Sequence, residues 1–513
     1  MKREASAARN VASNWANIVL GIAFALIITP VVEDALGKEL WGAWSFLNDL
    51  LGYSELFYLG LGSAIIRFVA QARAKSDASR INRLTSVVLS IYTLIGIVCF
   101  LILFLLSGII PDIAREPLSP GAARAVTNAC VLVGIRLLLL FVGSAFSGLM
   151  CGHDRFDLVN GVSMASTFVR LIAIPLFIHT GTEPLMTIAA LMCVVAAIET
   201  IAMVGIAYWY VPGLRVRPTR PTADELKLLY GFGLQSFFVL VAFKLISYTD
   251  NIVIAVRIGW TAVALYSFPL QIVAYARLCV AGFSGVLLPR LTVLATENNA
   301  AGLREAYISS ARIGCFIAGW VGAMVIALGP AFITRWIGPE YGAASHIVVI
   351  WLTIASFAQA LSTQVPYPFY QALNMVAIPA LVLTLEGLVN LALSLWLAPT
   401  MGIEGVALAT AIPAVFVSLA ILPGYLCRKL ELPLRVLLLQ GALPGVLMLL
   451  ATLGSQWLIA SAVTTVSYPV IIGRGLLTIP VAVLVFAVMF PSGDRRTAQQ
   501  LLRRVAGGTL RRK

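Results

Sequence analysis

"LGLGSAIIRFVAQARAKSDASRINRLTS" (residues 59–86) aligns without a gap with "AGFSGVLLPRLTVLATENNAAGLREAYI" (residues 281–308). In both stretches an apolar segment rich in small residues ends, a polar loop follows, and the next apolar segment begins. The alignment extends well beyond this region. Four pairs of residues keep one constant spacing of 222 positions: Gly37 with Gly259, Gly60 with Gly282, Asp77 with Asn299, and Gly152 with Asn374. The chain therefore contains two copies of one unit.

The apolar segments between the loops are long enough to cross a bilayer. Of the 513 residues, 60% are hydrophobic and 12% are charged, which leaves too few polar groups to cover a soluble protein of this length. A helix needs about 20 apolar residues to span the hydrocarbon core. Such stretches recur fourteen times, the second near 41–70 and the seventh near 228–257. The sequence predicts an all-α polytopic membrane protein with about 14 transmembrane helices.

The spacing of the two copies corresponds to six spans. Because six is even, the second copy enters the membrane in the same direction as the first, as in transporters built from parallel repeats. A major facilitator fold also fits this pattern. The predicted organisation is an N-lobe of spans 1–6 (1–211), an inter-lobe linker (212–227), a C-lobe of spans 7–12 (228–427), spans 13–14 (428–490) and a basic tail (491–513).

The basic residues predict the orientation. Of the 36 Lys and Arg residues, 24 lie on one set of membrane faces and five on the opposite set. This asymmetry predicts a multi-pass protein with both termini in the cytoplasm. The tail "RRTAQQLLRRVAGGTLRRK" (495–513) is interpreted as a topology signal that favours anionic lipid headgroups, not as a nucleic-acid site. The first span is too long for a signal-peptide core and is interpreted as a retained anchor.

Motifs for catalysis or metal binding do not occur in the sequence. The seven cysteines all lie in predicted spans and form no CxxC, and the three histidines have no metal-ligand spacing. No GxxxxGK[ST] loop occurs, so ATP hydrolysis through a P-loop is excluded. We expect no catalytic residue, no metal and no cofactor, with coupling to a proton or Na⁺ gradient left open.

Ionisable residues within the spans are the candidate functional residues. A charge at the bilayer centre costs on the order of 3 kcal/mol on insertion scales, so each such group needs a cavity, a partner or an interface. Arg67, Arg312 and Arg474 lie near the membrane faces and are able to snorkel. The groups closest to mid-span are predicted to face a cavity, with a structural buried pair as the alternative: Arg136, Glu199, Lys244 and Glu386. Arg170 and Asp250 are intermediate.

Two further expectations concern the second, seventh and eighth spans. Glu55 and Arg277 occupy equivalent positions of the repeat, and we expect them to pair across the lobes as a gate. Exchange of the two charges should then restore function lost in either single reversal. In the seventh span Asp250 and Arg257 are about two turns apart and share a face, whereas Lys244 points elsewhere. This charged span is expected to line a cleft rather than to face lipid.

A family resemblance is carried by two regions. "PVVEDALGKELWGAWSF" followed by "LGLGSAIIRFVA" resembles the start of the polysaccharide transporters, the O-antigen and exopolysaccharide flippases. "YTDNIVIAVRIGWTAVALYSFPLQI" resembles the recurring Asp, Gly and Tyr of their spans seven and eight, here Asp250, Gly259 and Tyr266. The family belongs to the superfamily of multidrug, oligosaccharidyl-lipid and polysaccharide exporters. Many members carry an acid where this chain has Tyr58, and Glu55 one turn earlier is the candidate replacement.

The resemblance implies a flippase of the bacterial cytoplasmic (inner) membrane, not an enzyme. It would carry undecaprenyl-pyrophosphate-linked oligosaccharide to the outer leaflet by alternating access, among membrane lipids and with polymerase or export machinery as candidate partners. We expect a set of basic residues to bind the substrate: Arg67, Arg136, Arg170, Lys244 and Arg277. We expect a second set to serve as a gate, in ion coupling or in sugar binding: Glu55, Glu199, Asp250, Arg257 and Glu386.

Two other functions remain open at this point. A cation-coupled multidrug extruder of the same superfamily would bind organic cations with carboxylates, whereas the spans hold seven basic and five acidic residues. A membrane glycosyltransferase or polymerase would need catalytic residues on a sizeable outer loop, and no predicted loop is long enough.

Overall fold

A computed structural model of the chain describes residues 2–58, 61–180, 183–284, 287–462 and 467–491. Gly60 and the basic tail after residue 491 lie outside these ranges. Every regular element in the described residues is helical, which confirms the all-α prediction. The α-helices are α1 Lys2–Ser54, α2 Leu61–Ala74, α3 Ala78–Leu106, α4 Pro120–Gly152, α5 Phe156–Phe177, α6 Pro184–Tyr210, α7 Ala223–Arg257, α8 Trp260–Ser284, α9 Leu288–Thr296, α10 Ala300–Trp336, α11 Pro339–Gln359, α12 Tyr367–Ala372, α13 Ala377–Phe416, α14 Leu422–Lys429, α15 Leu434–Leu437, α16 Leu443–Ala462, α17 Tyr468–Leu476 and α18 Thr478–Met489.

Eleven helical segments of the described residues are long and apolar enough to cross a membrane. Two of the helices, α1 and α13, bend at Gly37 and Gly402, where the backbone leaves helical geometry. If each bent helix crosses twice and the 35-residue α7 crosses once, the number reaches the fourteen predicted. The chain is a multi-pass membrane protein, and the number fourteen itself stays a prediction.

The internal repeat is visible in how matching helices begin. Asp77 caps α3, where its Oδ1 accepts a hydrogen bond of 2.9 Å from the backbone N–H of Arg80. Asn299 caps α10 in the same way, with a bond of 2.8 Å from the N–H of Gly302. Side chains with such an oxygen satisfy donors that the first turn of a helix leaves free. Two caps at the predicted spacing confirm that the sequence repeat is a structural repeat.

Backbone geometry repeats at the same spacing. Ser76 and Asn298, the residues before the two caps, adopt positive φ angles of 54° and 52°. Gly37 and Gly259 also have positive φ, at 67° and 145°. Residues with a side chain rarely adopt these angles, so glycine is favoured at both positions, although the two φ values differ.

The described residues group into two compact units. The first comprises Met1–Ser267 with Ala380–Val406, and the second comprises Phe268–Pro379 with Ala407–Lys513. The predicted lobes at 1–211 and 228–427 stay a prediction. Within the first unit, the second predicted span is not one helix, because α1 ends at Ser54 and a 3₁₀ turn, Glu55–Tyr58, follows. This break places Glu55 on a turn beside α7.

The predicted inter-lobe linker is bound along α3 in the first unit. Asn82, Ser86 and Ser90, one helical turn apart, accept hydrogen bonds of 2.8–3.1 Å from alternate backbone N–H groups of the linker, those of Arg215, Arg217 and Thr219. The match is geometric, since four helical residues rise about 6 Å and two extended residues rise about 6.6 Å. The sequence thus builds a polar track that fixes the linker.

An ion pair closes the end of this linker. Arg83 Nε and Nη2 donate to the two carboxylate oxygens of Glu225 at 2.6 and 2.8 Å. Glu225 also accepts from the backbone N–H of Thr222 at the start of α7, a capping box. The hydrogen bonds from Arg83 lower the pKa of Glu225 from its ordinary 4.5 to about 2.

In the second unit, the C-terminal helices pack tightly against α10. A Cβ atom on Gly319 would overlap the carbonyl oxygen of Gly445, and one on Gly445 would overlap that of Cys315. Arg312 is 8% exposed and donates from Nε to the carbonyl of Gln440 at 2.8 Å. The snorkelling expected for Arg312 is therefore wrong, because a carbonyl in a π-helical turn, Leu438–Ala442, binds it inside the protein.

Candidate functional site

Three predicted site residues meet inside the first unit, where α4, α5 and α6 pack together. Arg170 Nη2 lies 4.0 Å from Glu199 Oε2, and Arg170 Nε donates to the carbonyl of Ser166 at 3.2 Å. Arg136 lies close enough to interact electrostatically with Arg170 and Glu199. Its Nη1 is buried and has no hydrogen-bond partner among the described residues. This charged trio carries a formal charge of +1.

A polar cavity of about 220 Å³ adjoins the trio at Glu199. We call it the Glu199 cavity. Its polar walls come from four helices of the first unit: Asn17, Ser144, Ser147, Asn160, Ser163 and Glu199. Ser147 lies five residues before the end of α4, and Asn160 is the fifth residue of α5. The near end of the cavity thus lies about one and a half helical turns from residues 153–155, which join these two helices.

A hydrogen-bond network continues from the cavity towards that turn. Asn160 Nδ2 donates to Ser13 Oγ at 3.0 Å and to Asn14 Oδ1 at 2.5 Å. One turn further, Asn10 Nδ2 donates to Asp154 Oδ1 at 3.0 Å. The first half of α1 therefore presents a polar stripe to α5, although α1 reads as an apolar span.

Sequence reasoning missed these neutral residues because it followed charges. The signal was present, since Asn10, Ser13, Asn14 and Asn17 recur at intervals of three and four residues, which places them on one helix face. The pairs Ser144–Ser147 and Asn160–Ser163 have the same spacing on α4 and α5.

A second group of predicted residues lies where α7 packs against the second half of α1. Lys244 is 7% exposed, and its Nζ donates to Glu55 Oε2 at 2.6 Å. The ammonium group also lies 4.6 Å from the centre of the Tyr248 ring, at cation–π distance. The side chain of Glu55 is 52% exposed. Lys244 is thus bound by protein, and the pairing of Glu55 with Arg277 stays a prediction.

Two carboxylates, Asp49 and Asp250, lie close together further along the same helix pair. Asp250, 2% exposed, accepts a 2.6 Å hydrogen bond from the Tyr266 hydroxyl. Asp49 accepts a 2.7 Å hydrogen bond from Asn251 Nδ2 and is close enough to Asp250 to interact electrostatically. Neighbouring Tyr53 shares a 2.6 Å hydrogen bond with the Thr249 hydroxyl. A carboxylate pair of this kind, fully buried at Asp250 and partly buried at Asp49, is able to hold a proton or a small cation.

The remaining predicted site residues are spread along the chain. Arg67 and Arg257 are exposed, at α2 and at the last turn of α7, whereas Glu386 is 4% exposed on α13. Arg277 is half-buried on α8 and is the predicted site residue that belongs to the second unit. Among the described residues, no group of three His, Cys, Asp or Glu side chains could hold a metal ion.

Tyr58 occupies the position where many polysaccharide transporters carry an acid, and that Glu55 takes the role of this acid stays a prediction. The Tyr58 hydroxyl lies 3.0 Å from Ser144 Oγ. Because the Ser144 hydroxyl donates to the Leu140 carbonyl at 2.7 Å, Tyr58 is the donor to Ser144. The tyrosine thereby contacts a residue that lines the Glu199 cavity.

Comparison with known proteins identifies the family. The family model described as "Polysaccharide biosynthesis protein" matches residues 7–295, more than half of the chain. The chain belongs to this family. Among its relatives is the membrane protein EpsK of Bacillus subtilis (strain 168), 20% identical over 97% of this chain and 98% of EpsK. A Shigella flexneri protein whose name proposes O-antigen transport is 22% identical over 74% of this chain and 87% of its own length.

Solved structures show that the family fold is shared more widely. The lipid II flippase MurJ, in an inward closed conformation, aligns with a TM-score of 0.72 at 13% identity over 96% of this chain and 99% of MurJ. An inward-facing multidrug resistance MATE family transporter of the MOP superfamily aligns with a TM-score of 0.69 at 14% identity, over 82% of this chain and 95% of its own. The fold expected from the resemblance is therefore confirmed.

Proposed function

We propose that this chain is a flippase that moves undecaprenyl-pyrophosphate-linked oligosaccharide from the cytoplasmic to the outer leaflet by alternating access. In this proposal it resides in the bacterial inner membrane with both termini in the cytoplasm, and it catalyses no reaction. Membership of the polysaccharide biosynthesis protein family supports the substrate class. The observation that carries the proposal is the charged trio beside a polar cavity in a multi-pass membrane protein.

The chemistry of the substrate explains this combination. A pyrophosphate needs cationic partners, and arginine is the side chain best suited to bind it. Sugars need hydrogen-bonding groups on the protein. These groups must lie in a cavity that water or a ligand fills, because polar groups that face lipid cost free energy. Arg136 has an unpartnered buried nitrogen available for a phosphate oxygen, and the Glu199 cavity offers hydrogen-bonding groups to sugar.

The proposed energy source is an ion gradient. The carboxylate pair Asp49 and Asp250 lies beside two tyrosine hydroxyls and one amide, in the part of the first unit that contains α7. Uptake or release of a proton or Na⁺ there would change the net charge of this site, which lies where α7 packs against α1. Such a change is what a transporter needs in order to couple ion movement to a conformational step.

A deletion strain provides the test. Lipid-linked sugars are measured by mass spectrometry, and the surface polysaccharide is profiled alongside. Accumulation of an undecaprenyl-linked oligosaccharide, with loss of the corresponding surface polymer, is expected and would identify the glycan. Unchanged lipid intermediates together with new sensitivity to cationic drugs would favour a multidrug extruder and contradict the proposal.

A further inference from the structure

Several neutral side chains of the Glu199 cavity already use their hydrogen-bond donors within the protein. The hydroxyls of Ser144 and Ser147 donate to the carbonyls of Leu140 and Gly143 at 2.7 and 3.1 Å. Both N–H groups of Asn160 point at the polar stripe of α1. A hydroxyl has one donor but two lone pairs, and an amide oxygen keeps its own acceptor sites. These residues therefore present oxygens to the cavity.

Two other groups complete this pattern. Thr200, at the same wall, donates to the Leu139 carbonyl at 3.0 Å and keeps its lone pairs. The carboxylate of Glu199 offers two acceptor oxygens. The donors left over are those of Asn17 and Ser163, whose side chains make no hydrogen bond within the described part of the chain. The Glu199 cavity is consequently rich in acceptors and poor in donors.

This pattern and the nearby charges restrict the ligand. An anion such as phosphate offers acceptors only, so an acceptor-rich wall would repel it. A cation would meet Arg170, which lies 4.0 Å from Glu199, and the charged trio has an excess of positive charge. A neutral molecule with many hydroxyl donors satisfies both conditions. Sugars are the ligands of this class.

The size of the cavity limits how much sugar it holds. A volume of about 220 Å³ is many times the roughly 10–15 Å³ that a cavity needs to hold one water molecule. This space has the scale of a sugar ring with its hydroxyls. The cavity also lies near the 153–155 turn, which the basic residues predict to be on the cytoplasmic side, where a lipid-linked glycan is assembled.

We propose that the Glu199 cavity is a sugar subsite that binds one neutral ring of the lipid-linked glycan through the ring's hydroxyl donors. The pyrophosphate binds outside this cavity. Glu199 is the strongest acceptor, and Arg170, which does not line the cavity, lies 4.0 Å from its carboxylate. The inference rests on the proposed flippase function. It assigns one sugar ring to the Glu199 cavity and the pyrophosphate to a separate site.

The test compares two lipids that differ in sugar alone. The protein in lipid nanodiscs is titrated with the undecaprenyl-linked oligosaccharide that accumulates in the deletion strain, and separately with undecaprenyl pyrophosphate. Ser147→Leu and Ser163→Leu fill the cavity from two helices. Thr127→Leu is the matched control, because Thr127 also donates to its own helix on α4 but does not line the cavity. Size-exclusion profiles and melting temperatures identify variants that misfold.

We expect both cavity variants to bind the glycosylated lipid at least tenfold more weakly and to bind undecaprenyl pyrophosphate with unchanged affinity, while Thr127→Leu leaves both affinities unchanged. Equal weakening for the two lipids, or no weakening for either, would overturn the sugar subsite. Loss of tetraphenylphosphonium binding in the cavity variants, without effect on the glycosylated lipid, would identify a cation site instead. A wild-type protein that binds neither lipid would refute the proposed function itself.

Discussion

The ion pair between Lys244 and Glu55 predicts an asymmetry that stability measurements can detect. The side chain of Lys244 is 9% exposed and that of Glu55 is 52% exposed, with 2.6 Å between Nζ and Oε2. Removal of the carboxylate in Glu55→Met leaves a buried ammonium group without its counter-ion. Removal of the ammonium in Lys244→Met leaves a carboxylate that water reaches. The first variant should therefore be the less stable one.

The magnitude follows from the burial of each partner. Loss of one partner of a fully buried pair costs about 3–5 kcal/mol, and exposed pairs contribute about 0.2–1 kcal/mol. Tyr248 retains its cation–π contact with Lys244, which offsets part of the loss. We expect Glu55→Met to lose about 2 kcal/mol, or roughly 4 °C in apparent melting temperature. Lys244→Met should lose less than about 0.5 kcal/mol, since methionine replaces the packing of the lysine stem.

Thermal stability of detergent-solubilised protein, followed by fluorescence-detected size exclusion, provides the assay. The double variant that combines Glu55→Met with Lys244→Met should recover most of the stability lost in Glu55→Met, because no unpaired charge stays buried. Lys227→Met on the exposed first turns of α7 is the control and should have almost no effect. The reasoning is refuted if Lys244→Met is the less stable single variant, or if the double variant is no more stable than Glu55→Met.

Three further predictions follow from contacts elsewhere. Glu199→Gln leaves Arg170 without its carboxylate partner. We expect at least a tenfold loss of transport in a complementation assay in which the variant is expressed normally. Full activity would show that the pair of Arg170 and Glu199 is dispensable. The linker bound by Arg83 and Glu225 should be protected from proteolysis near neutral pH and should open as the pH falls from about 4.5 towards 2. The reason is that the folded pKa of Glu225 is lowered to about 2, so the stabilisation from its carboxylate is lost on protonation. Glu225→Gln should be cleaved already at pH 7, and equal protection of both proteins at pH 7 would contradict the role of the pair. Gly445→Val should destabilise the protein by about 1–3 kcal/mol through overpacking. Gly454→Val, on the same helix, should not, because Gly454 has open space around it. Equal melting temperatures of the two variants would argue against close packing at Gly445.

Much of the architecture could be predicted because it depends on repeating patterns. Apolar length gave the membrane helices, and the constant spacing of 222 positions correctly located matching caps at Asp77 and Asn299. That mid-span charges avoid lipid was also predictable, since lipid excludes them. Lys244 was predicted to face a cavity, with a buried pair as the alternative, and it is 7% exposed and paired with Glu55.

The identity of each partner could not be predicted in the same way. A repeat shows which positions are equivalent, whereas a contact depends on where a helix ends and how far it rotates. Glu55 meets Lys244 because α1 breaks into a 3₁₀ turn at that point, and the apolar pattern across 41–70 gave no sign of the break. Glu199 was predicted to face a cavity, but the neutral side chains that line the Glu199 cavity were missed, because hydroxyl and amide groups on one helix face carry no charge.

Reconstituted transport tests the central claim most directly. The purified protein is placed in liposomes that contain the accumulated lipid-linked oligosaccharide, and a membrane-impermeant lectin reports how much glycan moves between leaflets. The account predicts that wild-type protein moves the glycan faster than protein-free liposomes do, and that Glu199→Gln abolishes most of this movement. Equal rates with and without correctly folded protein, in the presence of either a proton or a Na⁺ gradient, would contradict the claim that this chain is a flippase for lipid-linked sugars.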